Sequence, residues 1–143
     1  MGFCPTSLPD MKAKIGLVTL GVHDLTKSLR FYRDGLGWPT HKYNPEADVI
    51  FFALEGTWLA LYPRDKLAED ASVPDGQGFG GITLAHNEPS PEQVDAAYAK
   101  AIAAGAKAIK PPNKAFWGGY SGYFADPDGH MWEIAFNPFM DLT

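Results

Sequence analysis

An internal repeat constrains the fold of this 143-residue sequence more than any other feature. The segment GITLA at 81–85 resembles LVTLG at 17–21, and a helical pattern follows each of them. β-Branched and apolar residues favour a strand in both places. Because a repeated segment indicates a duplicated structural unit, we expect two modules with the same topology.

The first module is predicted to be a β-α-β-β-β unit. KIGLVTLGV forms the first strand, and the helix after it begins at the N-cap Asp24 and stops at Gly35 or Gly37. Its apolar residues recur at helical spacing, at Leu25, Leu29, Tyr32 and Leu36. A weak strand at 40–44 precedes ADVIFFALEG and TWLALYPR, which are predicted to form a hairpin. The short polar connector DKLAEDASVPDGQG then leads to the second module.

The second module repeats this order, and its helix is well marked. Ser90 is the predicted N-cap, with Pro91 at the first helical position, Gln93 completing a capping box and Gly105 ending the helix. One face of the helix is apolar, with Val94, Ala97, Tyr98, Ala101 and Ile102. AKAIKPP, GYSGYFAD and HMWEIAFN supply the three remaining strands.

These elements predict an α+β fold in which two βαβββ modules form a curled mixed sheet around a cavity. Each helix buries its apolar side against one sheet face, so the residues on the other face are expected to line a ligand site. We expect an N-terminal tail at 1–13 and a single domain at 14–143, with modules at about 14–64 and 79–138.

Composition excludes several classes of partner. With 45% apolar and 20% charged residues the chain is globular, and its net charge of −5 favours neither nucleic acid nor an anionic membrane surface. The single cysteine, Cys4, cannot form an intramolecular disulfide, and the start of the sequence lacks the apolar run of a signal peptide. We therefore expect a cytoplasmic protein.

Two segments resemble a known family. LVTLGVHDLTKSLRFYRDGLGW and GYFADPDGHMWEIAFNPF are similar to the opening and closing signatures of the vicinal oxygen chelate superfamily. That superfamily includes glyoxalase I, extradiol dioxygenases, bleomycin-resistance proteins and fosfomycin-modifying enzymes. The resemblance covers nearly all of residues 14–140 and implies the glyoxalase/bleomycin resistance/dihydroxybiphenyl dioxygenase fold, while its chemistry varies too much for the fold to define a function.

The resemblance also implies where a metal would bind in relatives, on the first and last strands of each module. These positions fall on Leu17, Ala60, Gly81 and Glu133, so only Glu133 has a side chain that can coordinate a metal. Because a transition metal needs about three or four protein donors, we expect no tightly held metal and no cofactor. The four histidines are interpreted as solvent-facing or turn residues without partners.

Strand periodicity then assigns the cavity wall. If the metal positions of relatives face the cavity, the residues two positions away along each strand face it too. The residues between them, such as Trp132, Ile134 and Phe136, then pack under a helix. The predicted ligand-binding residues among the inward positions are Thr19, Trp58, Tyr62, Thr83 and Met131. This composition is typical of sites for small organic molecules, and the alternative is a collapsed aromatic core.

The segment AFWGGYSGYF adds Trp117 and Tyr120 as candidate ligand-binding residues. Their rings are suited to a cavity wall or lid, or to ordinary packing across a hairpin.

Glu133 is the candidate catalytic residue, with three interpretations. In an apolar pocket its pKa would be raised by desolvation, which suits a general base that removes a proton next to a carbonyl. It could instead anchor a basic ligand, or be a paired structural acid.

The resemblance implies a homodimer, since many relatives are dimers. We therefore predict a homodimer of the glyoxalase and bleomycin-resistance type that binds a small organic molecule without a tightly held metal. The alternative is an enzyme, a lyase, an isomerase or a dioxygenase-like protein, that uses Glu133 or a non-standard metal site.

Overall fold

The computed structural model describes residues 13–80 and 82–143, which form two mixed four-stranded sheets and three helices. The first sheet contains β1 (Leu17–Val22), β2 (Thr40–His41), β3 (Ile50–Phe52) and β4 (Trp58–Pro63), in the order β1-β4-β3-β2. The second contains β5 (Leu84–Asn87), β6 (Lys107–Lys114), β7 (Tyr120–Ala125) and β8 (Met131–Phe136), in the order β5-β8-β7-β6.

Both sheets have the same pairing. The first strand of each module pairs parallel with the last, and the other pairs are antiparallel. The predicted α+β fold with two βαβββ modules is therefore confirmed. The N-terminal tail, with Cys4, and the inward position of Gly81 lie outside the described residues, and the domain limits stay a prediction.

Two of the helices begin where the sequence predicts. Helix α1 (Leu25–Leu29) starts at Asp24, whose side chain accepts a hydrogen bond from the Lys27 amide, and continues as a π-helix over Arg30–Gly35. The long helix of the second module, Pro91–Ala103, starts at Ser90, whose hydroxyl accepts the Gln93 amide at 3.2 Å. These caps satisfy amide groups that the helices leave without partners.

Two predictions about the elements are wrong. The connector that was expected to be short and polar, and for which no helix was predicted, overlaps a helix, α2 (Arg64–Ala71). This helix buries no residue and therefore shows no apolar stripe in the sequence. The helix of Pro91–Ala103 is thus α3. Strand β5 begins at Leu84 and does not include Ile82 or Thr83 of the predicted strand, because its parallel pairing with β8 starts at Trp132. Thr83 lies just before the strand, and Ile82 is 73% exposed.

The core lies between the two sheets and the helical segments other than α2. The largest buried side chains are aromatic, Phe31, Tyr32, Phe52 and Phe124. The first module's helix meets α3 closely at Gly35, where a Cβ atom would lie 2.4 Å from that of Ala104. The two modules therefore share one core, in which the predicted helix-facing residues Trp132, Ile134 and Phe136 also pack.

No helix in the described part of the chain is both long enough and apolar enough to cross a membrane.

Candidate functional site

Each sheet has one face turned away from α1 and α3, which we call the open face. The residues Leu20 in β1, Leu59 and Leu61 in β4, and Trp132 in β8 point into the core, so their immediate neighbours along the strands point to the open face. The predicted inward residues Thr19, Trp58, Tyr62, Met131 and Glu133 all occupy such positions.

A cavity of about 760 Å³ lies where the open faces of the two sheets meet. It is bounded by β1, by residues 78–80 and 82–84, and by the turn before β8. Three predicted ligand-binding residues line it together: Thr19, Thr83 and Met131. The rest of the wall mixes apolar side chains with a few polar groups, among them Tyr123, Lys110 and His130.

Glu133 lies in the second sheet, beside this cavity. Its neighbours across the strands are Ala85 on one side and Tyr123 on the other, and Tyr123 in turn pairs with Lys110. Burial raises the pKa of the Tyr123 phenol, and the negative charge and hydrogen bonding of Glu133 raise it further. Tyr123 therefore stays neutral near pH 7 and keeps a proton to donate.

Trp58 lies at a second groove, of about 650 Å³, which also touches Ala85, His86 and Trp132. The Trp58 ring lies against that of His41, with centroids 4.8 Å apart. Tyr62 pairs with Gly21 at the far end of β4. The structure thus places Trp58 and Tyr62 on the open face but does not bring them into the wall of the larger cavity.

Trp117 and Tyr120 lie elsewhere. The Trp117 ring covers the backbone of Gly119, where a Cβ atom would lie 1.9 Å from the ring and only glycine fits. The Tyr120 hydroxyl donates a hydrogen bond to Asp95 of α3 at 2.8 Å, so Tyr120 points to the helix side of the sheet. Neither side chain lines the 760 Å³ cavity.

The donor set does not fit the metal site of metal-bearing relatives. Leu17 and Ala60 offer only hydrocarbon, and the strand positions on either side of Glu133 hold Ala85 and Tyr123. One carboxylate alone does not hold a divalent transition metal tightly.

A buried polar network that was not predicted from the sequence is centred on the turn before β8. Trp132 Nε1 donates to the Tyr32 hydroxyl at 3.0 Å, and that hydroxyl donates to Asp126 Oδ2 at 2.6 Å. Burial and the negative charge of Asp126 raise the pKa of Tyr32 well above its usual value, so the phenol stays protonated. Asp128 accepts hydrogen bonds from the Ser28 hydroxyl and from the backbone amide of His23.

The prediction that the histidines lack partners is wrong at two positions. His86 bonds to Glu88, and His130 Nδ1 bonds to Asp126 at 2.7 Å. The signal in the sequence was an acid four residues before a histidine, across a Pro-Asp-Gly turn. Ligand-type atoms of Asp126, Asp128 and His130 lie within 4.8 Å of one another, but donors of the protein already occupy the carboxylate oxygens.

Fold and site together define a protein of two βαβββ modules with an open-face cavity and an acid, Glu133, on the open face beside it. The family model described as Glyoxalase/Bleomycin resistance protein/Dioxygenase superfamily matches residues 14–134, and the chain belongs to this superfamily.

Known proteins resemble the chain over most of its length. A glyoxalase-related enzyme from Fulvimarina pelagi is 38% identical, with a TM-score of 0.83, covering 92% of this chain and 93% of that one. A glyoxalase/bleomycin resistance protein/dioxygenase from Nocardioides is 26% identical, with a TM-score of 0.74, covering 95% of this chain and 91% of that one. The uncharacterized protein YraH of Bacillus subtilis (strain 168) is 29% identical over 126 residues, which are 85% of this chain and 96% of YraH.

Proposed function

We propose that the chain binds a small organic molecule in the open-face cavity, with Glu133 as a polar anchor and without a tightly held metal. The observation that carries this proposal is the cavity of about 760 Å³, because small-molecule sites have volumes of about 300–1,000 Å³. Its wall also has the expected composition, since apolar side chains surround a few polar groups such as Thr19 and Thr83.

The polar groups near the cavity favour an aromatic or cationic ligand. The half-buried Glu133 is an acceptor for a cationic group, and the Tyr123 phenol beside it is neutral. Phe79, Ile82 and Ile109 give the same cavity apolar surface for a ring.

A thermal-shift screen with aromatic, cationic and dicarbonyl compounds tests the proposal. A ligand present at about 100 times its dissociation constant should stabilise the protein by about 2.7 kcal/mol. Glu133→Gln keeps the shape of the side chain and removes the charge, so a cation should bind this variant more weakly. Glu92→Gln, in the exposed first turn of α3, is the matched control and should bind as the wild type does. A screen without a hit favours a collapsed core.

The second candidate function is catalysis, and one observation favours it. The similar Fulvimarina pelagi protein is described as a glyoxalase-related enzyme. In this case Glu133 is the base that removes a proton next to a carbonyl, as in a lyase, an isomerase or a dioxygenase-like protein. Glu133→Gln separates the two candidates, since a base would lose turnover with affinity kept, whereas an anchor would lose affinity.

The metal part of the proposal has its own test. Elemental analysis of protein purified without chelator should give nickel, zinc, iron and manganese well below one atom per chain. A near-stoichiometric metal would overturn this part and would point to a non-standard site.

We also propose a homodimer and a cytoplasmic location. Apolar side chains at the cavity rim support the dimer, since Phe79 and Ile82 are 72% and 73% exposed. Light scattering after size exclusion should give twice the monomer mass, and a monomer at micromolar concentration would contradict the dimer. The cytoplasmic location rests on the single cysteine.

A further inference from the structure

The turn between β7 and β8 brings a histidine and a buried carboxylate together at the cavity wall. The Asp126 side chain is fully buried and accepts four hydrogen bonds. Backbone amides of Asp128 and His130 donate to Oδ1, at 2.9 and 2.8 Å. The Tyr32 hydroxyl and His130 Nδ1 donate to Oδ2, at 2.6 and 2.7 Å. This carboxylate is therefore held in one orientation from both modules.

The hydrogen bond to Asp126 determines which imidazole nitrogen carries the proton. Because an ionised carboxylate only accepts hydrogen bonds, Nδ1 of His130 must be the protonated nitrogen of the neutral ring. The other nitrogen, Nε2, then carries a lone pair. In serine proteases an aspartate holds the histidine base in the same tautomer.

The Nε2 atom has access to the cavity. His130 belongs to the wall of the 760 Å³ cavity, together with Thr19 and Tyr123, and its side chain is 20% exposed. Within residues 13–80 and 82–143, Nε2 has no hydrogen-bond partner. Every buried side-chain nitrogen or oxygen in these residues has a partner, so Nε2 is not buried. A molecule in the cavity can thus reach a basic nitrogen that the protein itself does not use.

The charges around the ring favour proton uptake. Burial lowers the pKa of His130, and this is the largest single effect. The hydrogen bond and charge of Asp126, with the charge of Asp128, together outweigh it and raise the pKa above the usual 6.5. Arg64, at the start of α2, acts in the opposite direction. From the first module, Tyr32 faces the same carboxylate and stays neutral.

We propose that His130, positioned by Asp126, accepts a proton from a molecule bound in the cavity. The ligand class is a small molecule with a weakly acidic proton, on a hydroxyl group or on a carbon next to a carbonyl. The bond to that hydrogen breaks, its electron pair stays on the ligand, and a new N–H bond forms at Nε2. Asp126 stabilises the imidazolium, which returns the proton in the reverse step.

This inference rests on the proposed function only for the location of the ligand. It does not depend on Glu133. Its test needs no ligand, so its failure and the failure of the ligand screen are distinguishable.

Labelling with diethyl pyrocarbonate, which acylates unprotonated imidazole nitrogens, is the test. Peptide mass spectrometry of the native chain, labelled at a series of pH values, should show His130 modified with a midpoint above about pH 6.5. Asp126→Asn should move this midpoint to lower pH. His41, in β2 of the other sheet, is the control, and its midpoint should be the same in both proteins.

Two results would overturn the inference. Either His130 stays unlabelled until the chain unfolds, or its midpoint is the same in the wild type and in Asp126→Asn. If Asp126→Asn does not fold, nitrogen NMR of the wild-type imidazole decides instead. We expect a proton on Nδ1 and none on Nε2 in the neutral ring, and the opposite tautomer would also refute the inference.

Discussion

The substitution Tyr32→Phe tests the network that joins the two modules. Tyr32 is completely buried, and its hydroxyl links Trp132 in β8 to Asp126 in the turn before it. Removing the hydroxyl leaves the Trp132 N–H, in a residue that is 6% exposed, without an acceptor. An orphaned buried donor costs about 1–3 kcal/mol, and losing a hydrogen bond to a charged group costs about 1.5–3 kcal/mol. Since Asp126 keeps three other donors, we expect a total loss of about 3 kcal/mol.

Urea denaturation followed by circular dichroism measures this loss without depending on tryptophan fluorescence. In a chain of this size, a loss of about 3 kcal/mol in the free energy of unfolding lowers Tm by roughly 6–12 °C. Tyr43→Phe is the matched control, because Tyr43 is 39% exposed and a surface substitution of this kind changes stability by less than about 0.5 kcal/mol. If Tyr32→Phe were as stable as Tyr43→Phe, the network would not hold the modules together as argued.

Three further predictions concern stability. The raised pKa of His130 means that protonation stabilises the fold fully below the unfolded value near 6.5, and that this stability is lost as pH rises through the folded value. Urea midpoints from about pH 5.5 to 8.5 should therefore decrease more in the wild type than in His130→Gln. Ser90→Ala removes the N-cap of α3 and should cost about 1 kcal/mol in the same assay, whereas an unchanged midpoint would show that the cap is not needed. Gly122→Ala should cost about 1–3 kcal/mol, because its Cβ would lie 2.7 Å from the Lys110 carbonyl oxygen. Gly16→Ala, with open space around it, should not destabilise, and equal losses in the two variants would refute the packing argument.

The sequence predicts most of the fold because the relevant signals are local. The repeat identifies two modules, and Ser90 with Pro91 identifies the start of α3, since a cap is formed by residues a few positions apart. Helix α2 escapes prediction because it packs no side chain into the core. The start of β5 is equally non-local, since the partner strand determines it.

The candidate site is predictable only in part. Strand alternation places Thr19, Met131 and Glu133 on the open face, because one residue in two must point there. It does not say which of these positions line the same cavity. The Tyr32–Asp126 hydrogen bond joins residues that are 94 positions apart, and no local pattern indicates such a contact.

Amide NMR during titration with a compound from the thermal-shift screen is the most direct test of the central claim, that the open-face cavity binds a small organic molecule. We predict shift changes that centre on Thr19, Thr83, Tyr123 and Glu133, and weaker binding of a cationic compound to Glu133→Gln. Shift changes that centre instead on the Trp117 turn or on α2, or no binding by any compound of the screen, would contradict the account.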